Sequence, residues 1–367
     1  MDRTTTKIYE ASATAWIRSR QPTAIGDGRF EAFIAGLKSG AMVADLGCGP
    51  GWYAAALAAR GFRIAALDAS SAMLAQVGER APTAMRVTAD LAALPLTRLS
   101  LDAAWALNCY SHLPAAELPL ALAQLQQSLI VGAPLALTLA DLSQRDALQN
   151  AEEDLEQARR YNGDQFAGRL FTAVTVQRAR HLLEGAGFEE IRVEPIKFWL
   201  WITARRARTL PDLVRPGLRL LICGLNPSLY SADHGAPFAR PGNRFWSAAK
   251  AAGVAERERA PWSALQQGIG FTDVVKRATA GADELSAAEY KNGLRRLEAL
   301  VRRCEPAATC FVGLDAWRRA VDRGATPGWI ANGFAGRPAY LMPSTSGRNA
   351  RVPLDQLAQH LKIAHRK

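Results

Sequence analysis

The sequence predicts an α/β protein of two domains, and three observations carry that prediction. Its 367 residues give room for two cores of ordinary size. Short apolar runs alternate with segments whose apolar residues recur every three or four positions, the pattern of a mostly parallel sheet covered by helices. That pattern occurs twice, and charge divides with it. Residues 1–215 hold 23 Lys+Arg against 22 Asp+Glu, whereas residues 216–367 hold 22 against 12. The basic half suits a polyanionic partner, because each phosphate it neutralises releases counterions.

The bulk composition, 49% hydrophobic and 22% charged, is that of a globular chain. No apolar stretch approaches the roughly 20 residues needed to span a bilayer. The opening "MDRTTTKIYEASATAW" lacks the apolar core of a secretory signal. A soluble cytoplasmic protein with no membrane partner is expected. Five scattered cysteines (Cys48, Cys109, Cys223, Cys304, Cys310), never in a C-x-x-C pair, exclude a disulfide framework and a zinc knuckle. They read as small buried hydrophobes, and no metal is expected.

In the first half the strands read as "AMVADL", "RIAALD", "MRVTAD", "LDAAWAL" and "PLALTLA". The helices between them are "WYAAALAARG", "SSAMLAQVGERA" and "AELPLALAQLQQSL". The first strand runs into "DLGCGPG", Asp45 to Gly51. Glycines at 47, 49 and 51 allow close backbone approach to a ligand and a sharp turn into the next helix. The second strand ends in Asp68, where a carboxylate can take both hydroxyls of a ribose. The third ends in Asp90-Leu91, a polar/apolar pair fit to flank an adenine ring. A tight turn with ordinary acidic helix caps is the plainer alternative.

Over roughly residues 8–195 the chain thereby resembles the class I S-adenosylmethionine-dependent methyltransferases. The resemblance implies a Rossmann-like sheet with S-adenosyl-L-methionine as cofactor. It implies that Asp45 opens the cofactor loop, that Gly47, Gly49 and Gly51 cradle the methionine part, and that Asp68 and Asp90-Leu91 hold the ribose and adenine. The methyl acceptor stays unknown. "ALNCYSHLP", Ala106 to Pro114, has neither the Pro-Pro-aromatic tetrapeptide of DNA amino-methyltransferases nor the Pro-Cys of cytosine-C5 enzymes. Cys109 reads as packing, and His112 as either a general base or a structural histidine. The pattern is closer to small-molecule methyltransferases. The stretch "RYNGDQFAGRLFTAVTVQRARHLLEGAGFEEIRVE" reads as an insertion, then a helix and an edge strand that help form the acceptor pocket.

"RRARTLPDLV", basic and proline-containing, marks the join. The expected domains are 1–204 and 216–367, with 205–215 as a short tether. Beyond it "LRLLICG", "AATCFVGL" and "PAYLM" read as strands, and "NRFWSAAKAAG", "SAAEYKNGLRRLEALVRR" and "PLDQLAQHLKIA" as helices. There is no Walker loop and no second cofactor fingerprint.

Four motifs here, "GLNPSLY", "PFARPGNRFW", "GIGFTDVVKRAT" and "LMPSTSGRNARVP", together resemble the mismatch-specific uracil/thymine-DNA glycosylases over roughly residues 216–365. The resemblance implies a three-layer α/β/α domain with a base pocket at its strand ends and double-stranded DNA carrying mismatched uracil or thymine as partner. It also implies no cofactor for this domain and a nucleoid-associated location. Its chemistry accounts for the residue types. Cleaving an N-glycosidic bond builds positive charge on the sugar and negative charge on the base, after the base has left the stack. Asn226 matches the residue that holds the attacking water; an amide is no general base, so a slow enzyme is expected. Gly224, Phe238 and Asp273 match the base site, Phe238 by stacking and nearby backbone N–H groups by donating to base oxygens. In "MPSTSGR", Ser344, Thr345 and Ser346 suit phosphates. Gly347 lets the backbone approach the duplex, and Arg348 fills the hole left by the flipped base. Asn243 and Lys276 complete the expected DNA contacts.

Each position has a plainer alternative: a turn amide at Asn226, a surface arginine at Arg348, solvated helix charges at Lys276 and Arg277. Asp273 departs from relatives that carry asparagine. A carboxylate accepts from N3–H and so narrows the site to uracil and thymine. Two other readings compete with a bifunctional enzyme. In one the basic half is a catalytically weak DNA-binding module that delivers the methyltransferase to nucleic acid. In the other the first half senses its cofactor without turnover.

Overall fold

The computed structural model describes residues 1–22, 24–143, 154–349 and 351–366. The chain divides into two compact units. One is Met1–Glu184 with Phe188–Ala207; the other is Gly185–Gly187 with Arg208–Lys367.

In the first unit, strands Met42–Leu46, Arg63–Asp68, Met85–Thr88, Ala103–Ala106 and Pro134–Asp141 are parallel, and Met42–Leu46 lies between Arg63–Asp68 and Ala103–Ala106. The strand order reverses at that point, and a crevice opens there at the carboxyl ends of open α/β sheets. Trp199–Arg206 pairs antiparallel with Pro134–Asp141, and Phe188–Ile196 pairs with Trp199–Arg206 as the expected edge strand. Continuous apolar runs make the inner strands: Ala103–Ala106 is buried at every residue. Trp105 fills the core, with Phe30, Phe33 and Trp201 at ring distances of 5.4, 5.0 and 5.6 Å.

The expected insertion is itself sheet. Glu156–Tyr161 and Arg169–Val174 form an antiparallel hairpin, and Arg169–Val174 continues parallel to the end of Pro134–Asp141 through Ala140↔Ala173 and Asp141↔Val174. Buried Arg169 pins it. Its guanidinium bonds both oxygens of Asp164 (2.8 and 2.7 Å) and the Phe166 carbonyl (2.8 Å), and lies within 6 Å of the Tyr9, Trp16, Tyr161, Phe166 and Phe171 rings. The hairpin is thereby attached to the N-terminal helix Arg3–Ser19.

The second unit is a five-stranded sheet. Ile269–Asp273, Leu220–Gly224, Ala308–Val312 and Ala339–Met342 run parallel in that spatial order, and Gly328–Trp329 is antiparallel at the edge. Leu220–Gly224 is here the strand at the order reversal. Helix Leu354–His365 packs on helix Phe245–Ala251 and on two strands. Helix Ala287–Cys304 begins at a capping box: Ser286 Oγ accepts from the Glu289 N–H (3.2 Å) and Glu289 Oε2 accepts from the Ser286 N–H (2.9 Å).

Residues 205–215 are not a free tether. Arg205 and Arg206 end a strand, Leu210, Leu213 and Val214 are buried, and Leu213 bridges to Phe271. The alternating apolar residues of "LPDLV" hold this stretch down despite its basic start. All five cysteines are buried. Among the described residues no helix is long and apolar enough to cross a membrane.

Candidate functional site

Each sheet carries a concave site at its order reversal. The first is a cavity of about 120 Å³ lined by Asp45, Gly47, Gly49 and Asp68 from the strand ends, and by Thr6, Tyr9 and Trp16 from the N-terminal helix. The glycines are needed for geometry. Gly47 has φ +62, and a Cβ there would lie 2.3 Å from Cys109 Cβ; Gly49 has φ +52 with open space where its Cβ would be. Asp68 accepts one backbone N–H on each oxygen, from Ser70 to Oδ1 (2.8 Å) and from Gly49 to Oδ2 (2.9 Å). A carboxylate has about four acceptor sites, so each oxygen keeps one, the arrangement a vicinal diol fits. Burial raises its pKa, as it does that of Asp45, pushed up to about 7. Asp45 Oδ2 is buried with no hydrogen-bond partner among the described residues, an acceptor suited to a ligand ammonium.

Three expected cofactor residues do not line this cavity. Gly51 (φ +85) is required for packing: its Cβ would meet Val77 at 2.9 Å. Asp90 is exposed and bonds the amino group of Met1 and the Ala92 N–H (2.8 Å), and Leu91 is buried away from the cavity. The third strand stops at Thr88, so Asp90-Leu91 belongs to the following turn rather than to a strand end.

His112 lines the cavity but is not a free base. Its Nδ1 is 2.7 Å from the Leu170 carbonyl, which can only accept, so Nδ1 carries the proton and Nε2 accepts from the Tyr9 hydroxyl at 2.9 Å. Burial lowers its pKa to about 4 and keeps the ring neutral. Cys109 donates to the Leu46 carbonyl (3.1 Å), and burial pushes its thiol well above the ordinary range. It is packing, as its sequence context indicates. Tyr9 and Trp16, on the helix Arg3–Ser19, lie outside every motif that the sequence analysis singled out.

The second site is an open cleft of about 760 Å³. Parallel register sets Gly224 beside Asp273 at the strand ends. Gly224 lacks a side chain for a reason on the page: a Cβ would sit 2.3 Å from Asp273 Oδ1 and 3.4 Å from the Phe238 ring. Phe238 adopts φ +55 and stacks on Phe245 at 4.2 Å with 22° between planes. Asn226 Nδ2 donates to the Arg277 carbonyl (3.0 Å), Thr279 Oγ1 (2.8 Å) and the Pro227 carbonyl (3.2 Å). Carbonyls accept only, which fixes the amide orientation. Oδ1 is left without a protein partner among the described residues, on a residue that lines the cleft. Asp273 is buried, takes no hydrogen bond on its carboxylate among the described residues, and is pushed up to about 6 by desolvation, opposed by Lys276. Asn226, Phe238 and Asp273 are thus brought together in one cleft.

Of the expected DNA contacts, Asn243, Ser344, Ser346 and Arg348 line the same cleft, and Arg348 is exposed. Thr345 is buried, its carbonyl accepting from the Arg244 N–H (2.9 Å). Gly347 is explained inside the protein: its Cβ would meet the Gly242 carbonyl at 3.0 Å. Lys276 is a correction. It is 12% exposed and bonds Asp212 (2.9 Å) and the Leu210 carbonyl (2.5 Å), so its ammonium is the counter-charge of a buried carboxylate and does not reach a phosphate. Arg277 is exposed but paired with Glu289 at 2.7 Å.

Two family models match the chain. One described as a methyltransferase domain matches residues 43–132, and one described as the uracil DNA glycosylase superfamily matches residues 211–362. Similar solved structures include the 1,6-didemethyltoxoflavin-N1-methyltransferase of Burkholderia thailandensis with bound 1,6-didemethyltoxoflavin and S-adenosylhomocysteine. It is 19% identical with TM-score 0.44, covering 56% of this chain and 88% of that one. A S-adenosylmethionine-dependent methyltransferase of Methanosarcina mazei is 16% identical (TM-score 0.42; 51% and 99% covered). One from Mesorhizobium loti is 21% identical (TM-score 0.39; 49% and 99%).

Proposed function

We propose a bifunctional DNA-repair role for this chain, which joins a methyltransferase domain to a domain of the uracil DNA glycosylase superfamily. The second domain hydrolyses the N-glycosidic bond of uracil, and of thymine more weakly, opposite guanine in double-stranded DNA, as a first step of base excision repair in the cytoplasm. The observation that carries this reading is Asn226. Three acceptors pin its NH₂ and leave Oδ1 facing no protein donor among the described residues, which suits it to hold a water beneath the sugar of a flipped nucleotide. Phe238 stacks on the base, and the Asp273 carboxylate accepts from N3–H. Bond breaking leads, electrons pass to the base, and the held water captures the cation-like sugar, giving an abasic site. Arg348, at the rim of the same cleft, fills the vacated stack.

In the first domain the residues fit S-adenosylmethionine: an orphaned Asp45 oxygen for the ammonium, the open Gly49 for the backbone approach, and one free acceptor site on each Asp68 oxygen for the ribose. That cofactor supplies a methyl group on a sulfonium, already a good leaving group. The chain's own part is to bind, align an acceptor and exclude water, and the Arg3–Ser19 helix is placed to do the last.

Incubation of the full chain with a 5′-labelled G·U duplex, followed by alkali, tests the glycosylase. Cleavage at the uracil is expected. Intact strand from active-site-saturating protein, with normal duplex binding, refutes excision and leaves a DNA-binding module.

A further inference from the structure

We propose that Arg244 is the positioning residue of the rim loop that carries Ser344, Ser346 and Arg348, drawing its carbonyls inward so that the loop offers donors to a DNA phosphate backbone. This rests on the glycosylase reading and adds what holds its wedge in place. The loop leaves the strand Ala339–Met342 and runs to the helix Leu354–His365. Arg244 stands at the head of a third element, the helix Phe245–Ala251, and does not itself line the cleft. Its backbone N–H donates to the Thr345 carbonyl (2.9 Å). Its guanidinium donates from Nη2 to the Asn349 carbonyl and from Nη1 to the Val352 carbonyl, both at 2.6 Å. One residue thus ties the loop at Thr345, Asn349 and Val352. Gly347 closes on the same segment, since a Cβ there would meet the Gly242 carbonyl at 3.0 Å.

The polarity of the loop follows from these bonds. A carbonyl can only accept, so one that faced an arriving phosphate would repel it. The carbonyls of Thr345, Asn349 and Val352 are instead committed to Arg244. The hydroxyls are oriented as well. Ser344 Oγ accepts from the Ser346 N–H (3.2 Å), and Ser346 Oγ from the Arg348 N–H (3.4 Å). A hydroxyl that accepts still has its own proton to give, and neither of these two protons has an acceptor among the described residues. Both serines and Arg348 line the cleft. The tie calls for arginine rather than lysine. Two N–H groups diverge from one planar carbon to carbonyls three positions apart, which a single ammonium on a flexible stem does not fix. Arg244 Nε is buried with no hydrogen-bond partner among the described residues. The loop's carbonyls therefore supply the side chain's hydrogen bonds, and side chain and loop are set together.

A double-mutant cycle on single-turnover excision from a G·U duplex by the full chain tests this. Arg348→Ala and Arg244→Met should each slow excision about tenfold, and the double variant about tenfold as well, where independent sites would give about a hundredfold. Arg244→Lys keeps the charge without the fork and should match Arg244→Met. Additive losses, the mark of a merely structural role, overturn the proposal. So does an Arg244→Met chain that excises at full rate, and so does a lysine variant as fast as the unmodified chain, which would leave charge alone at work. Should Arg244→Met fail to fold, Arg244→Lys takes its place in the cycle. The same cycle on duplex dissociation constants needs no chemistry: each single variant should weaken binding about fivefold, and the double variant no more than that. Absence of excision by the unmodified chain, with coupled losses in binding, sinks the functional reading and leaves the positioning role standing. Additive losses in binding sink the positioning role.

Discussion

The two candidate sites occupy the same topological position in their own sheets, yet they are finished in opposite ways. In the first, a helix from the chain's beginning closes the cavity to about 120 Å³, and His112, Tyr9 and Cys109 are all engaged within the protein. In the second, the cleft is open at about 760 Å³; Asn226 is tied at one end of its amide and unpartnered at the other, and the Asp273 carboxylate takes no protein hydrogen bond among the described residues. The difference suits the two proposed roles. A small ligand can be enclosed, and enclosure strengthens every polar contact. A polymer strand has to lie across a site, which therefore stays open and specifies its target with a few fixed groups.

The sharpest way to break this contrast is Asn226→Ala. Excision is expected to fall by about a thousandfold with unchanged duplex affinity, read by alkali cleavage and by a binding titration. Undiminished excision would remove the water-holding role. In the enclosed site, Asp68→Ala should weaken S-adenosylmethionine by about a hundredfold, since two charge-assisted hydrogen bonds are lost; titration calorimetry measures it, and unaltered affinity would show that the cofactor lies elsewhere. Phe238→Ala removes one stacking face and should cost about tenfold in kcat/KM for uracil. The smallest effect sharpens the map of the open rim. Arg348→Ala should lower the slope of log K against log salt by about one, while Lys276→Met, already neutralised by Asp212, should leave the slope alone. Equal slope changes would put Lys276 back on the DNA.

Much of both sheets was legible because buried parallel strands are continuous apolar runs, and "AMVADL" or "LRLLIC" has few other uses. Gly47 was legible because close approach and φ above zero restrict the residue types that fit, Asp68 because it ends a strand beside that loop, and Asn226 and Phe238 only through motifs that resemble a known family. Charge partnership was not. Lys276 sits beside Arg277 in sequence and looks the same, yet one is buried against Asp212, 64 positions earlier, and the other is at the surface. Asp212 lay within a stretch that read as a basic tether, so the counter-ion was out of view. The hairpin Glu156–Tyr161/Arg169–Val174 was missed for a related reason: its outer strand is polar, and what makes it sheet is Arg169 packed among rings supplied partly by the first helix.

Phe238 holds its ring on a backbone with φ +55, a region that bulky side chains occupy at a cost of about 1–3 kcal/mol. Selection for thermal resilience alone would therefore drift that position toward glycine or asparagine, whereas selection for survival under cytosine-deaminating stress would hold the aromatic. A library randomised at codon 238 and passed through each regime would separate, at a single site, what the fold prefers from what the proposed repair chemistry demands.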